Sequence, residues 1–378
     1  MYKKILNTFS YLFIIFVFFL ISDFIISKYT NLFHVKKNCF KYSKINHENK
    51  KYYSYELEKN CFAIEHKGTT PSYNVITNKD GFRIGKKFKS KNKRKIIFLG
   101  DSFSYGFGVN YEESIPGLID KKTKHEFEII NFAVPGYSPS MNLYKLKKYL
   151  DKNKNLKIDK IFYILDLTDV HDESNRWNNI NGLEMPVIID SLVEKEIEKT
   201  YELKKDFRTS RFLSYLVNKN IRNFRKKIKK FFSNSKTDEI DNKGTLWGSF
   251  THKQLTELEK DSKDFWSVNF DVGVKNIQLK LKEISEIVKP YNTEFYIVIH
   301  PWRETLELGQ NEFNWEMFAN DICILTTCNK LINLFDDIRD IKNRNPNWKS
   351  EIYFKKDVHF NKKGNEIYSN RIFVEAFN

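Results

Sequence analysis

Lys95-Ile96-Ile97-Phe98-Leu99-Gly100-Asp101-Ser102-Phe103-Ser104-Tyr105-Gly106-Phe107-Gly108-Val109 is the stretch on which the reading of this chain turns. The apolar run from Ile96 to Leu99 stops abruptly at Gly-Asp-Ser. That is the pattern of a buried strand, a tight turn and a polar loop. Glycine is scarce elsewhere, yet three fall between Gly100 and Gly108. Glycine serves where backbone turns sharply or comes close to something. A serine at the C-terminal end of a buried strand stands where open α/β sheets keep their active sites. Gly-Asp-Ser alone serves equally as an ordinary strand-to-loop turn, because all three residue types favour turns.

The flanking chain repeats the same unit. Residues 112–124 have helical spacing, with Ile115, Leu118 and Ile119 on one face. Residues 127–134 (FEIINFAV) read as a strand ending in Pro135-Gly136-Tyr137-Ser138-Pro139-Ser140, and residues 140–150 as an amphipathic helix capped by Ser138 or Ser140. Residues 160–167 (KIFYILDL) are a third strand, 294–301 (EFYIVIHP) a fourth and 331–335 a fifth. Helices are expected at 272–288, 315–325 and 364–377. Strands alternating with helices imply a five-stranded parallel sheet with helices on both faces. The rhythm breaks over about 175–265, which reads as an insertion carrying a basic amphipathic helix at 211–232 and a polar loop at 233–244. That helix is either an ordinary surface helix or one that lies on an anionic surface.

Residues 5–26 (ILNTFSYLFIIFVFFLISDFII) are almost wholly apolar. About 20 such residues suffice to cross a bilayer as a helix. No small-residue exit follows, which favours an uncleaved anchor over a signal peptide. Residues 1–30 are therefore expected to form a transmembrane anchor contacting membrane lipid, and 31–90 a stalk and lead-in. Lys/Arg residues flank both ends of the run and do not orient it. Cys39 with Cys61, and Cys323 with Cys328, are either two local disulfides on an oxidising periplasmic or extracellular side, or four unrelated thiols. The net charge of +16 comes with no nucleic-acid-binding motif, so nucleic acid is not an expected partner.

Acyl transfer to serine needs a base, a group that orients the base, and donors for the oxyanion. Ser102 follows the first core strand. His359 precedes the last helix, with Asp357 two residues before it, and Gly136 follows the second strand. No His/Cys/Glu cluster has zinc spacing and no phosphate-binding loop is present, so neither metal nor cofactor is implied.

Three blocks carry a resemblance: Gly100-Asp101-Ser102-Phe103, Asn131-x-x-Val134-Pro135-Gly136-Tyr137-Ser138, and Asp357-x-His359-Phe360-Asn361-x-x-Gly364. In this order they resemble the SGNH (GDSL-type) hydrolase superfamily. The lead-in Asn78-x-Asp80-Gly81-Phe82-Arg83 and His300-Pro301-Trp302 resemble its membrane-anchored bacterial members. The resemblance runs from about residue 78 onward and does not include the anchor. It implies a three-layer α/β/α sandwich over residues 91–378, flavodoxin-like in its sheet. It also implies Ser102 as nucleophile, His359 as base and Asp357 as orienting carboxylate, with the N–H groups of Ser102 and Gly136 in the oxyanion hole.

The chain departs from the family pattern twice. The third block usually carries an Asn that donates to the oxyanion, and Thr168 stands there. The spacing Asp-x-His resembles alginate-type O-acetyltransferases rather than the commoner Asp-x-x-His. Asp101, Asp169, Trp302 and Arg303 are the further rim residues expected to contact substrate. The implied activity is a serine esterase, or a related O-acyltransferase, acting on an acylated envelope glycan. The alternatives are an SGNH-fold binding or assembly protein of envelope polysaccharide, and a lipase.

Overall fold

The computed structural model describes residues 2–29, 36, 38–66, 70–86, 94–153, 155–188, 270–310, 313–355 and 357–377. The chain divides into two compact units, 1–35 with 194–243 and 36–193 with 244–378. In the first, the apolar N-terminal run forms helix α1 (Tyr2–Tyr29), whose side chains Phe9, Leu12, Phe13, Ile14, Ile15, Phe16 and Phe18 are exposed. Among the described residues no helix is long and apolar enough to cross a membrane. The spanning helix expected from the sequence is thus not among the elements found.

The second unit is built on an eight-stranded sheet. Its strands are β3 (Phe62–Glu65), β4 (Tyr73–Thr77), β5 (Arg83–Ile84), β6 (Lys95–Leu99), β7 (Glu128–Asn131), β8 (Ile158–Leu165), β9 (Glu294–Ile299) and β10 (Lys330–Asn333), in the order β10-β9-β8-β6-β7-β5-β4-β3. The expected five parallel strands are all present, as β6 to β10. Counted among themselves they run 2-1-3-4-5, the flavodoxin-like order. β3, β4 and β5 extend the sheet antiparallel beyond β7. The sheet is therefore mixed, which corrects the purely parallel expectation. Residues 31–90 are also more than a stalk. Besides these three strands they form the hairpin β1 (Phe40–His47) and β2 (Lys50–Leu57), turned through Glu48 and Asn49, both at positive φ. Cys39–Cys61 joins the hairpin's start to β3, and Cys323–Cys328 closes a second loop; both are disulfides.

Helices cover both faces. Helix α4 (Pro139–Lys152), Phe270–Val288 and Trp315–Thr326 pack together, while α3 (Ile115–Lys122) packs with Lys362–Phe377. The core follows from the apolar strand runs: Ile96 to Leu99 and Ile161 to Leu165 are fully buried. Most of the insertion expected at 175–265, including the helix expected at 211–232 and the loop at 233–244, lies outside the described residues. Its described start is one π-turn, Asp172–Arg176, followed by bridges Asn178–Val187 and Tyr53–Ile188.

Arg83 explains the lead-in motif. It is fully buried, and its guanidinium donates to the carbonyls of Tyr105 and Gly106 at 2.7 Å, Val109 at 2.6 Å and Asn74 at 3.2 Å. Its backbone pairs with Asn131 of β7, whose amide donates to Ser104 O at 3.0 Å. One arginine thus holds the loop that follows Ser102 against the sheet.

Candidate active site

Ser102 opens helix α2 (Ser102–Tyr105) at the end of β6, and Asp101 caps it by accepting the Phe103 N–H at 3.0 Å. Gly100 has φ +133°, and a Cβ there would lie 2.8 Å from Ile164 O, so only glycine fits the turn. Asn142 on α4 donates to Gly100 O and accepts from Gly100 N, both at 3.2 Å. No pattern in the sequence marks Asn142, which looks like one more polar residue in an amphipathic helix.

The structure brings Ser102, His359 and Asp357 together. Ser102 Oγ lies 2.7 Å from His359 Nε2, and His359 Nδ1 lies 2.5 Å from Asp357 Oδ1. The same carboxylate oxygen accepts the His359 backbone N–H at 3.0 Å, so the short Asp-x-His spacing closes locally. The His359 ring is stacked on Phe107, with centroids 4.4 Å apart, and lies 4.9 Å from Phe103. Asn361 caps the last helix by accepting from Lys363 N and Gly364 N. Nothing in the residue pattern pointed to Phe107, whose ring fixes the base.

Gly136 sits at the third position of a turn in which Tyr137 N donates to Val134 O at 2.9 Å. Pro135 precedes it and its φ is +76°, the type II pattern. Tyr55 donates to Pro135 O at 2.9 Å, and Trp177 Nε1 to Gly136 O at 2.8 Å. A Cβ at Gly136 would come within 2.6 Å of both the Tyr55 hydroxyl and Arg176 Nη1. Tyr55 and Trp177, from segments with no site signal in the sequence, therefore enclose the expected oxyanion turn.

The remaining candidates are placed differently from the expectation. The Thr168 hydroxyl lies 2.5 Å from Asp166 Oδ1 and 3.2 Å from Asp101 Oδ2, so its one proton is held between carboxyl groups and not offered to an oxyanion. Trp302 is buried and donates from Nε1 to Asp166 Oδ2 at 2.8 Å, presenting no face for a sugar. Arg303 is paired with Glu304 through Nε at 2.5 Å. Asp169 is fully buried and accepts the Asp166 N–H at 3.1 Å. Asp101 is buried as a cap beside Ser102 and Thr168. Two of these placements share a cause: Asp166, at the end of β8, gathers Thr168 and Trp302 inward, with His300 beside them. His300 Nε2 lies 3.2 Å from Asp166 Oδ2. Asp166 ends its strand on the same rim as the nucleophile, and that position was the available sign of its role.

These carboxyl groups differ in electrostatics. Burial, reinforced by the Asp166 charge, pushes Asp101 up to about 7. Burial acts on Asp166 too, but His300, the Thr168 hydroxyl and Trp302 outweigh it and hold that carboxyl below its ordinary value. Burial and the charges of Asp101 and Asp166 push Asp169 well above the usual range. Burial raises Glu173 as well, despite hydrogen bonds from Ser138 Oγ at 2.5 Å, Ser140 N at 2.7 Å and Ser140 Oγ at 2.8 Å.

No family model matches the chain. An uncharacterized protein of Mycoplasma pneumoniae is 30% identical over 84 residues, a match that spans 21% of this chain and only 9% of that relative's length. Similar solved structures include the psychrotrophic esterase EstA from Pseudoalteromonas sp. (14% identity, 75% of this chain and 96% of that one, TM-score 0.37). A member of the lipolytic protein G-D-S-L family from Veillonella parvula is also similar (10% identity, 75% and 98%, TM-score 0.39). So is the acetylxylan esterase Axe2 from Geobacillus stearothermophilus (11% identity, 76% and 98%, TM-score 0.36). A likeness at this level carries no weight for the site, whose reading rests on its own distances.

Proposed function

We propose that this chain is a serine esterase of the SGNH type that removes or transfers an O-acyl group through an acyl-Ser102 intermediate. The observation that carries the reading is the unbroken chain of contacts Ser102 Oγ–His359 Nε2 and His359 Nδ1–Asp357, at 2.7 and 2.5 Å. In the forward step the Ser102 proton moves to His359 Nε2 as Oγ attacks the ester carbonyl carbon. The imidazolium so formed keeps its Nδ1–H on Asp357, and the carbonyl oxygen gains the negative charge. The N–H groups of Ser102 and Gly136 are its proposed donors. His359 then gives the proton to the leaving alcohol oxygen. Water, or a sugar hydroxyl, enters next, loses its proton to His359 and attacks the acyl carbon; the acyl–Oγ bond then breaks as His359 Nε2 returns that proton to Ser102 Oγ, which frees the serine and the acid or the new ester.

The proposed substrate is an acylated glycan of the cell envelope, with acetyl as the acyl group. The proposed placing is a globular part outside the membrane, tied to it by residues 5–26. The apolar run and the exposed Phe and Ile side chains of α1 support the anchor. The Cys39–Cys61 and Cys323–Cys328 disulfides support an oxidising compartment.

Aryl-acetate hydrolysis by the full chain in detergent, compared with Ser102→Ala, tests the reading. Turnover that survives in the variant overturns it. One observation favours a second reading, a binding or assembly protein: the Thr168 hydroxyl is occupied between carboxyl groups, so the third oxyanion donor of the family is missing. No turnover in the folded wild type, together with retained binding of acylated glycan by Ser102→Ala, is the outcome that would favour it.

A further inference from the structure

A second hydrogen-bond network lies beside Ser102. Asp101 Oδ2 faces two hydroxyl oxygens, Ser102 Oγ at 3.3 Å and Thr168 Oγ1 at 3.2 Å. Each hydroxyl has one proton and a nearer acceptor. For Ser102 it is His359 Nε2 at 2.7 Å, and for Thr168 it is Asp166 Oδ1 at 2.5 Å. With both protons given to those nearer partners, Asp101 Oδ2 meets only lone pairs. A buried carboxylate so placed has lost water and gained no donor on that oxygen, which is strongly unfavourable. A protonated carboxyl fits, because it donates where the carboxylate would be repelled.

We infer that Asp101 is a neutral positioning residue, the protonated end of a relay through the Thr168 hydroxyl to ionised Asp166, and that in this state it leaves the Ser102 proton to His359. The partners divide accordingly. Asp166 collects the Thr168 N–H at 2.9 Å, the Thr168 hydroxyl and Trp302 Nε1, with His300 beside it, and so carries the charge. Asp101 has one N–H donor, Phe103, on its other oxygen. The groups facing Asp101 from neighbouring elements are Asp166, Asp169 and Asp172 at and beyond the end of β8, Tyr163 within β8, Tyr55 on β2, Tyr368 on the last helix and His359. His359 is the cation that forms among them during turnover. Burial, with the charges of Asp166 and Asp172 beside it, favours the neutral form of Asp101, in keeping with its rise to about 7. The consequence is functional. Once Asp101 ionises, its Oδ2 becomes a competing acceptor for the Ser102 proton, and the nucleophile turns away from its base.

This inference deepens the serine-esterase reading and rests on it for its kinetic part alone. Asp101→Asn cannot ionise, still accepts the Phe103 N–H, and offers an N–H where the neutral carboxyl offers O–H. Wild-type hydrolysis is expected to fall about tenfold per pH unit above the ionisation near 7. The Asp101→Asn profile, whatever its level, stays flat there. Superimposable profiles would overturn the inference. Melting curves give a readout that needs no turnover. A carboxyl raised from about 4 when unfolded to about 7 when folded binds more protons in the fold, so wild-type stability falls as pH rises through that window. Asp101→Asn lacks the fall and gains on the wild type between about pH 4 and 7. The opposite trend would mean that Asp101 is ionised in the resting protein. If that variant does not fold, Asp101→Ala takes its place: an infrared carbonyl band of a buried neutral carboxyl, lost between pH 6 and 8 in the wild type and missing from the variant, is expected, and a wild type without such a band, or a band that the substitution leaves unchanged, would sink the idea. Loss of hydrolysis in neither Ser102→Ala nor His359→Ala would remove the esterase reading while leaving the melting and infrared results to judge Asp101.

Discussion

Ser102 Oγ and His359 Nε2 are 2.7 Å apart although 257 residues separate them in the chain. A serine hydroxyl held that close to an imidazole nitrogen, with a carboxylate on the ring's far side, is the arrangement that makes serine nucleophilic. Ser102→Ala is expected to lower aryl-ester kcat/KM by about 10⁴-fold or more, and Asp357→Asn by on the order of 10³-fold. Single-turnover kinetics on folded variants would check both. An Asp357→Asn enzyme of normal activity would transfer the orienting role to another group.

Gly108 has φ +82°, and a Cβ there would lie 2.5 Å from the Phe354 ring and 2.9 Å from Thr70 Cγ2. Its neighbour Phe107 stacks on His359, and Phe354 N donates to His359 O at 3.0 Å. Gly108→Ala therefore pushes on the base from two sides. Turnover is expected to drop about 100-fold, since misplacement by roughly 1 Å has that effect. Backbone strain should remove about 1–3 kcal/mol of stability. Parallel kinetic and thermal measurements separate the two effects.

Arg83 is the least replaceable residue of the lead-in. Arg83→Met removes the donors of four carbonyl groups, Asn74, Tyr105, Gly106 and Val109. Each buried acceptor left without a donor costs about 1–3 kcal/mol. Even with partial relaxation a loss of at least about 3 kcal/mol is expected, read as a fall of roughly 5 °C in Tm for a chain of this size. Arg83→Lys restores one cation but not the planar fork, and should lie between the two.

The disulfides should contribute unequally. Cys39–Cys61 spans 22 residues of sequence and Cys323–Cys328 spans 5. Loop-closure entropy assigns them about 3 and about 2 kcal/mol. Paired serine substitutions, Cys39→Ser with Cys61→Ser against Cys323→Ser with Cys328→Ser, should lower Tm in that order.

The five parallel strands were legible because each is an apolar run bounded by turn residues, as in Ile96 to Leu99. The strands before them were not. In β3 the pattern is inverted: Phe62 and Ile64 are exposed while Ala63 and Glu65 are buried. Glu65 can be inside because Tyr73 and Tyr105 donate hydroxyl protons to it, at 2.7 and 3.4 Å. Such a partnership joins three separate segments and leaves no periodic trace. The same holds at the site. Ser102, Asp357 and His359 were readable from short blocks. From sequence alone Trp302 and Arg303 look free to face substrate, because their acceptors, Asp166 and Glu304, become partners only once the fold is built.

The three antiparallel strands next to β7 also change how the sheet meets other chains. Without them β7 would offer a row of unpaired N–H and C=O groups beside the nucleophile turn, a ready template for strand exchange between molecules. With them the outermost strands are β3 and β10, each only four residues long. β3 is further covered by a bridge from Lys36 to Ala63. The segment ahead of the parallel core thus replaces an open edge beside the nucleophile turn with a short, partly covered one.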